Sequence, residues 1–166
     1  MPIIELDLLI ALVNKEDKLH ETASKLFEAA ANGKIRKITI AASALMEYEL
    51  ILKSRGYNDE EIAADIKALT RIKNVGEAPI NAQVILKAIN LRRHYQLTYF
   101  DSLHAATAIL QDGTIISSDK AYQEIKELKT IHPEEMLKKS THKRHLPTQI
   151  IYNNKPKGGR GYTPIG

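Results

Sequence analysis

The chain has 166 residues, enough for one domain with a complete core. Cysteine is absent, so disulfides, zinc ribbons and a thiol nucleophile are excluded. The net charge of +4 divides unevenly. Residues 1–137 hold all 20 acids and 17 of the 24 lysines and arginines, a net −3, while residues 138–166 hold the other seven bases and no acid, a net +7. No apolar run nears the roughly 20 residues that span a bilayer, and the opening MPIIELDLLIALVNKED has no basic start and carries acids in its apolar stretch; neither a membrane span nor a signal peptide is expected, and the expected compartment is the cytoplasm.

In chain order, residues 3–6 form a short apolar run suited to a buried strand. Leu19, Ala23, Leu26, Phe27 and Ala30 then recur at helical spacing, with Gly33 as a stop. Residues 37–41 read as a second strand, and Ser43 opens a helix that runs to Arg55 and ends at Gly56. Asn58 starts another helix with acids in its first turn, as the helix dipole favours. A further helix spans 81–95 after Pro79, and an alanine-rich one, 100–111, must pack closely for want of side-chain bulk. Residues 114–117 are a strand, 120–126 a short helix, and 129–132 a last strand before Pro133.

Strands separated by helices imply a parallel sheet covered on both faces. Ligands bind such sheets at the carboxyl ends of the strands. Acids stand at or near three of those ends: Asp7, Glu47 or Glu49, and Asp119. Asp7 interrupts an aliphatic run, where a carboxylate loses hydration unless a cation or donors replace the water; the competing role is a helix N-cap. Asp101 lies in LTYFDSLHAATAIL, where Thr98-x-x-Asp101 resembles a capping box, and its alternative role is a metal ligand at a helix start. Asp119 directly follows a strand and could equally cap the next helix. Glu47 and Glu49 lie two apart and point to nearly opposite sides of a helix, with Glu47 the expected inward member. His104 follows Asp101 by three and is expected as a core or orienting residue. Arg92, Arg93 and His94 read as a solvated basic face, and Tyr48, Tyr57, Tyr95, Tyr99 and Tyr122 as packing residues. Phosphate-loop, dinucleotide, zinc-protease and serine-hydrolase motifs are absent; the GGRG of the tail follows no strand and opens no helix. Residues 138–166 read either as a flexible basic terminus or as an arm whose Lys138, Lys139, Lys143 and Arg144 contact an RNA backbone, with Tyr152 or Tyr162 stacking on bases.

The ordered succession IIELDLLIALV, SALMEYELIL, LTYFDSLHAATAIL, TIISSDKAYQEI and TIHPEEM resembles a PIN-domain ribonuclease, most closely the VapC-type toxins and their archaeal relatives, over about residues 3–136. YFDSLHAATA is similar to the family signature around its third acid, and ISSDKAY with TIHP to the strand carrying the fourth acid and the closing strand. The resemblance implies an α/β/α sandwich with a central, mainly parallel sheet over 1–137, followed by the basic tail. It implies a metal-dependent endoribonuclease that hydrolyses RNA phosphodiesters, with Asp7, Glu47, Asp101 and Asp119 as its four acids; Glu49 stays an alternative to Glu47. Hard oxygen ligands suit Mg²⁺ or Mn²⁺, with Asp7 and Asp101 in direct contact and Glu47 and Asp119 acting through water or on a second ion. Ser117 and His104 are expected to orient the ligands. Leu9 stands where the family often has a polar residue, a departure that removes a helper but no carboxylate. Implied partners are RNA, a small antitoxin and a second copy of the chain, joined through the helices at 59–95. The alternatives are an RNA-processing PIN nuclease outside any toxin pair, and a catalytically inactive PIN domain serving as an RNA-binding or scaffold module.

Overall fold

The computed structural model describes residues 1–138; the expectations for Lys139, Lys143, Arg144, Tyr152 and Tyr162 lie outside the described residues. Five parallel strands form the sheet: β1 (Ile3–Ile4), β2 (Ile38–Ala41), β3 (Val75–Ala78), β4 (Thr114–Ile116) and β5 (Lys129–Ile131), in the order β3-β2-β1-β4-β5. Helices α1 (Leu6–Val13), α2 (His20–Ala31), α3 (Ala42–Ser54), α4 (Asp59–Thr70), α5 (Ala82–Tyr95), α6 (Tyr99–Gln111) and α7 (Pro133–Lys138) flank it, with a 3-10 turn at Lys120–Glu124. This is the expected α/β/α sandwich. Ile3, Ile4, Ile38, Ile40, Ile115 and Ile116 are all fully buried, because β-branched side chains fill both covered faces of a central parallel strand. Ala105, Ala106 and Ala108 of α6 are likewise fully buried, and this helix touches β1, β4, α3 and α5. No helix among the described residues is long and apolar enough to cross a membrane.

Local signals set most boundaries. Asn58 accepts from Glu61 N at 2.9 Å while Glu61 Oε2 accepts from Asn58 N at 3.0 Å, a reciprocal capping box. Gly56 ends α3 at φ +84°, a conformation that costs a residue without a Cβ little.

Three elements differ from the sequence reading. The first strand ends at Ile4, and the apolar run after it is helix α1; a short unbroken apolar stretch carries no period that separates the two. β3 has the sequence VGEA, with only Ala78 buried, and is held at the sheet edge by its ladder with β2 rather than by its own propensity. Just before it, Asn74 takes the left-handed conformation at φ 62° and donates Nδ2 to the carbonyls of Ala30 (3.1 Å) and Ala31 (3.3 Å), which satisfies the end of α2. Finally, Pro133 does not stop the chain; it is the first residue of α7, where a missing N–H costs nothing.

Strand order reverses between β1 and β4: β2 and β3 lie to one side, β5 to the other. The ladder runs one residue past each strand, with Glu5 N donating to Ile116 O at 3.3 Å and Ser117 N to Ile131 O at 3.2 Å. Glu5 and Ser117 therefore sit at the crevice where such sheets bind ligands.

Candidate active site

Ser117, buried at the end of β4, donates its hydroxyl to Glu5 Oε2 at 2.6 Å and accepts from Asp119 N at 2.8 Å. That single hydroxyl couples the end of β1 to the turn after β4. Glu5 is 6% exposed, and burial, followed by the charge of Asp7, pushes its carboxyl up to about 8. The sequence reading missed Glu5. It took the strand through Leu6, which made Glu5 an interruption within the strand; with β1 ending at Ile4, Glu5 is the first residue at the strand end.

Asp7 is in the first turn of α1, not at its N-cap position, which Glu5 occupies without a side-chain cap. Its residue surface reaches solvent, yet loss of hydration by the surrounding chain raises its carboxyl, as do Asp119, Asp17 and Asp101, with Lys18 pulling the other way. Glu47, half-buried on α3, is pushed up to about 7 by burial and then by Asp101 and Asp7. Glu49 turns outward and pairs with Lys53 at 2.9 Å on its own helix. The two glutamates are thus separated by the helix as their spacing requires, and Glu47 is the one facing the other acids.

Asp101 stands in the first turn of α6, with Thr98 as the N-cap. Thr98 caps α6 by accepting from Asp101 N at 3.2 Å, and Thr98 Oγ1 donates to Asp101 Oδ2. Tyr122 OH donates to the other oxygen, Oδ1, at 3.3 Å. Tyr122 is fully buried, and burial with the neighbouring Glu5 and Asp101 charges pushes its phenol upward, so it stays a donor. Asp119 caps the 3-10 turn through Oδ1, which accepts from Ala121 N at 2.8 Å. His104 is 1% exposed and its ring is pushed down to about 4, chiefly by burial. Its Nε2 stands 3.7 Å from Glu47 Oε2, beyond hydrogen-bond reach, and the Ser43 backbone is the polar group set against the ring. Among the described residues no group of three or more histidine or carboxylate side chains stands close enough to hold a metal ion as placed. The acids are near enough to raise one another's pKa.

The fold has counterparts. The family model for the PIN domain matches residues 7–128. The chain belongs to the PIN-domain family. Solved structures with the same PIN fold include VapBC2 from Rickettsia felis bound to a promoter DNA fragment, at TM-score 0.62 and 16% identity, over 78% of this chain and 96% of that one. A toxin–antitoxin complex from Klebsiella pneumoniae gives TM-score 0.59 and 19% identity over 80% and 98% of the two chains. VapC20 of Mycobacterium tuberculosis, a toxin that cleaves the sarcin-ricin loop, gives 0.56 and 18% over 77% and 98%. Comparison with the curated proteins gives no significant match. At these identities the likeness to the PIN structures concerns the fold.

Proposed function

We propose that this PIN-domain chain is a metal-dependent endoribonuclease of the VapC type, centred on the carboxylates at the β1 and β4 ends. One observation carries the reading: Glu5, Asp7 and Glu47 are all held where burial and other carboxylates oppose their charge. Folding gains nothing from that crowding, and a bound cation relieves it. The donors are hard oxygens, which suit Mg²⁺ or Mn²⁺. Asp7 and Asp101 would contact the ion directly, and Glu47 and Asp119 would act through water or hold a second ion. Bound there, the cation would supply a water of lowered pKa and neutralise charge on the departing oxygen.

The chain's own groups do the positioning. Thr98 and Tyr122 each hold one oxygen of Asp101, which fixes the plane of that carboxylate. Ser117 keeps Glu5 and the Asp119 turn in register. His104 backs Glu47 with a neutral ring. Glu5 would release its proton as the cation enters.

Purified protein is expected to cleave RNA with Mg²⁺ or Mn²⁺ and to stop with EDTA, and Asp7→Asn or Asp101→Asn to abolish cleavage while the circular dichroism spectrum is kept. Full activity in both variants would sink the assignment. The same reading gives the protein a cytoplasmic location, a small antitoxin partner and a homodimeric state. Met46, Leu50, Ile85 and Leu86, apolar and about half exposed or more on α3 and α5, support surfaces of that kind. Growth arrest on expression, relieved by a small co-expressed neighbouring gene product, tests the antitoxin. Lys138, Lys139, Lys143 and Arg144 would contact the RNA backbone; removing 138–166 should weaken binding and flatten its salt dependence.

A further inference from the structure

Glu5 is the one buried carboxylate among the described residues, and the proposed reaction gives it no contact of its own. It follows β1 directly, and its N–H carries the ladder on to Ile116 O. One of its oxygens is held: Oε2 accepts from Ser117 Oγ, and the same Ser117 oxygen accepts from Asp119 N. Asp119 caps the 3-10 turn at Lys120–Glu124, and Tyr122 of that turn donates to Asp101 Oδ1. Hydrogen bonds and one backbone turn therefore run from Glu5 through Asp119 to Asp101. The charges of Asp7, Asp101 and Asp119 all bear on Glu5. Its second oxygen, Oε1, accepts from nothing among the described residues and is not sealed from solvent.

A structural role accounts for only half of this carboxyl. An acid that merely bridged β1 to β4 would need one oxygen for Ser117, and a neutral amide would serve as well. Glu5 instead keeps an unpaired oxygen where hydration is withheld and three like charges act on it. Packing does not use that oxygen, and neither does the bond to Ser117. It lies at the strand end where strand order reverses, and a hard oxygen there suits a divalent cation.

We propose that Glu5 is a further direct ligand of the divalent cation, through Oε1, beside Asp7 and Asp101, and that Ser117 is the positioning residue that holds its other oxygen. The assignment deepens the ribonuclease reading and rests on it. As placed, the acids of the described residues do not stand close enough to share an ion. Carboxylates repel one another, and the ion has to draw them in.

Mn²⁺ binding to the full chain at alkaline pH tests this. Calorimetry gives the affinity, and broadening of the Mn²⁺ electron paramagnetic resonance in oxygen-17 water counts the waters on the ion. Glu5→Gln keeps the size of the side chain and an oxygen for Ser117 while removing the charge. It should weaken Mn²⁺ by at least about tenfold and add about one water to the saturated ion, since water fills the vacated place in the octahedron. Ser117→Ala should weaken Mn²⁺ by a smaller factor and leave the water count as it was. Glu5→Gln that binds Mn²⁺ like the unaltered protein overturns the assignment and leaves the nuclease standing. Weaker binding with an unchanged water count also overturns it, because Glu5 would then act only as a distant charge. If melting in EDTA shows that Glu5→Gln does not fold, Ser117→Ala decides, and an unchanged affinity there overturns the assignment. An unaltered protein that neither binds Mn²⁺ nor cleaves RNA with any divalent cation overturns the proposed function, and the Glu5 ligand with it.

Discussion

The two ends of the sheet handle the same residue type in opposite ways. At the amino ends of the strands each acid meets a cation: Asp112, just before β4, pairs with the amino terminus of Met1 at 2.8 Å, and Glu127, just before β5, with Lys87 at 2.6 Å. At the carboxyl ends, Glu5, Asp7, Glu47, Asp101 and Asp119 meet one another and a few hydroxyls. The first pattern is what folding alone would select. The second costs folding free energy, a cost that the proposed cation centre would offset.

The largest effect that breaks or keeps this distinction is on cleavage. Asp101→Asn should lower kcat by at least about a thousandfold, since the oxygen set that a phosphoryl-transfer centre requires loses a charge at its middle. Asp112→Asn, at the other end, should stay within twofold. Equal losses would mean that the two ends are not functionally distinct. Next in size, Glu47→Gln should cost about 10–100-fold and Glu49→Gln under twofold, since Glu49 is already engaged with Lys53 on the outer side of α3. Reversed magnitudes would move the site to the other face of that helix.

How much of this was legible in the sequence follows from which signals are local. Asn58, Gly56 and the alanine run of α6 act through neighbours three or four residues away, so their helices were readable. Asp119 and Asp101 were ambiguous between cap and ligand because capping leaves a carboxylate oxygen free for a second role: Asp119 Oδ1 caps a turn, and the Asp101 N–H is capped by Thr98. Glu5 was hidden by two residues of strand length, and β3 by an edge position whose stability comes from β2. Arg92, expected on a solvated face, is half-buried because it reaches across the α5–α6 turn to Ser102 and the Tyr99 ring. In each case the missing information is a tertiary pairing.

The pH dependence sharpens the comparison further. Glu5 titrates near 8 in the fold against 4.5 as its ordinary value, so folding favours its protonated form. That contribution is fully present below about 4.5 and is lost as pH rises through about 8. Metal-free protein should therefore weaken between pH 5 and pH 9, and Glu5→Gln, which stays neutral, should resist the loss by on the order of a few kcal/mol at pH 9 and by almost nothing at pH 5. Thermal melts in EDTA at the two values measure it; equal shifts at both would place the Glu5 charge outside the energetics. With Glu47 near 7 and Glu5 near 8, Mn²⁺ competes with protons for both, so its affinity by calorimetry should climb as pH rises through 7 to 8 and be at least about tenfold weaker at pH 6.

The smallest effect has the opposite sign and is therefore the sharpest check. Asp112 and its amino-terminal partner are 23% and 48% exposed, and Lys87 and Glu127 are 24% and 57% exposed, so solvent screens both pairs. Asp112→Asn and Glu127→Gln should each lower stability by less than about 1 kcal/mol, and less again at high salt. Removing an acid at the amino end should thus lower the melting temperature slightly in EDTA, whereas Glu5→Gln at the carboxyl end raises it at the same alkaline pH. Restoring Mn²⁺ should leave the two amino-end variants where they were and shrink or reverse the advantage of Glu5→Gln, because only the carboxyl-end acids are offered to the ion. If all three variants shift the same way with and without Mn²⁺, the crowding at the switch point is a packing compromise like any other, and the physical case for a cation centre there falls.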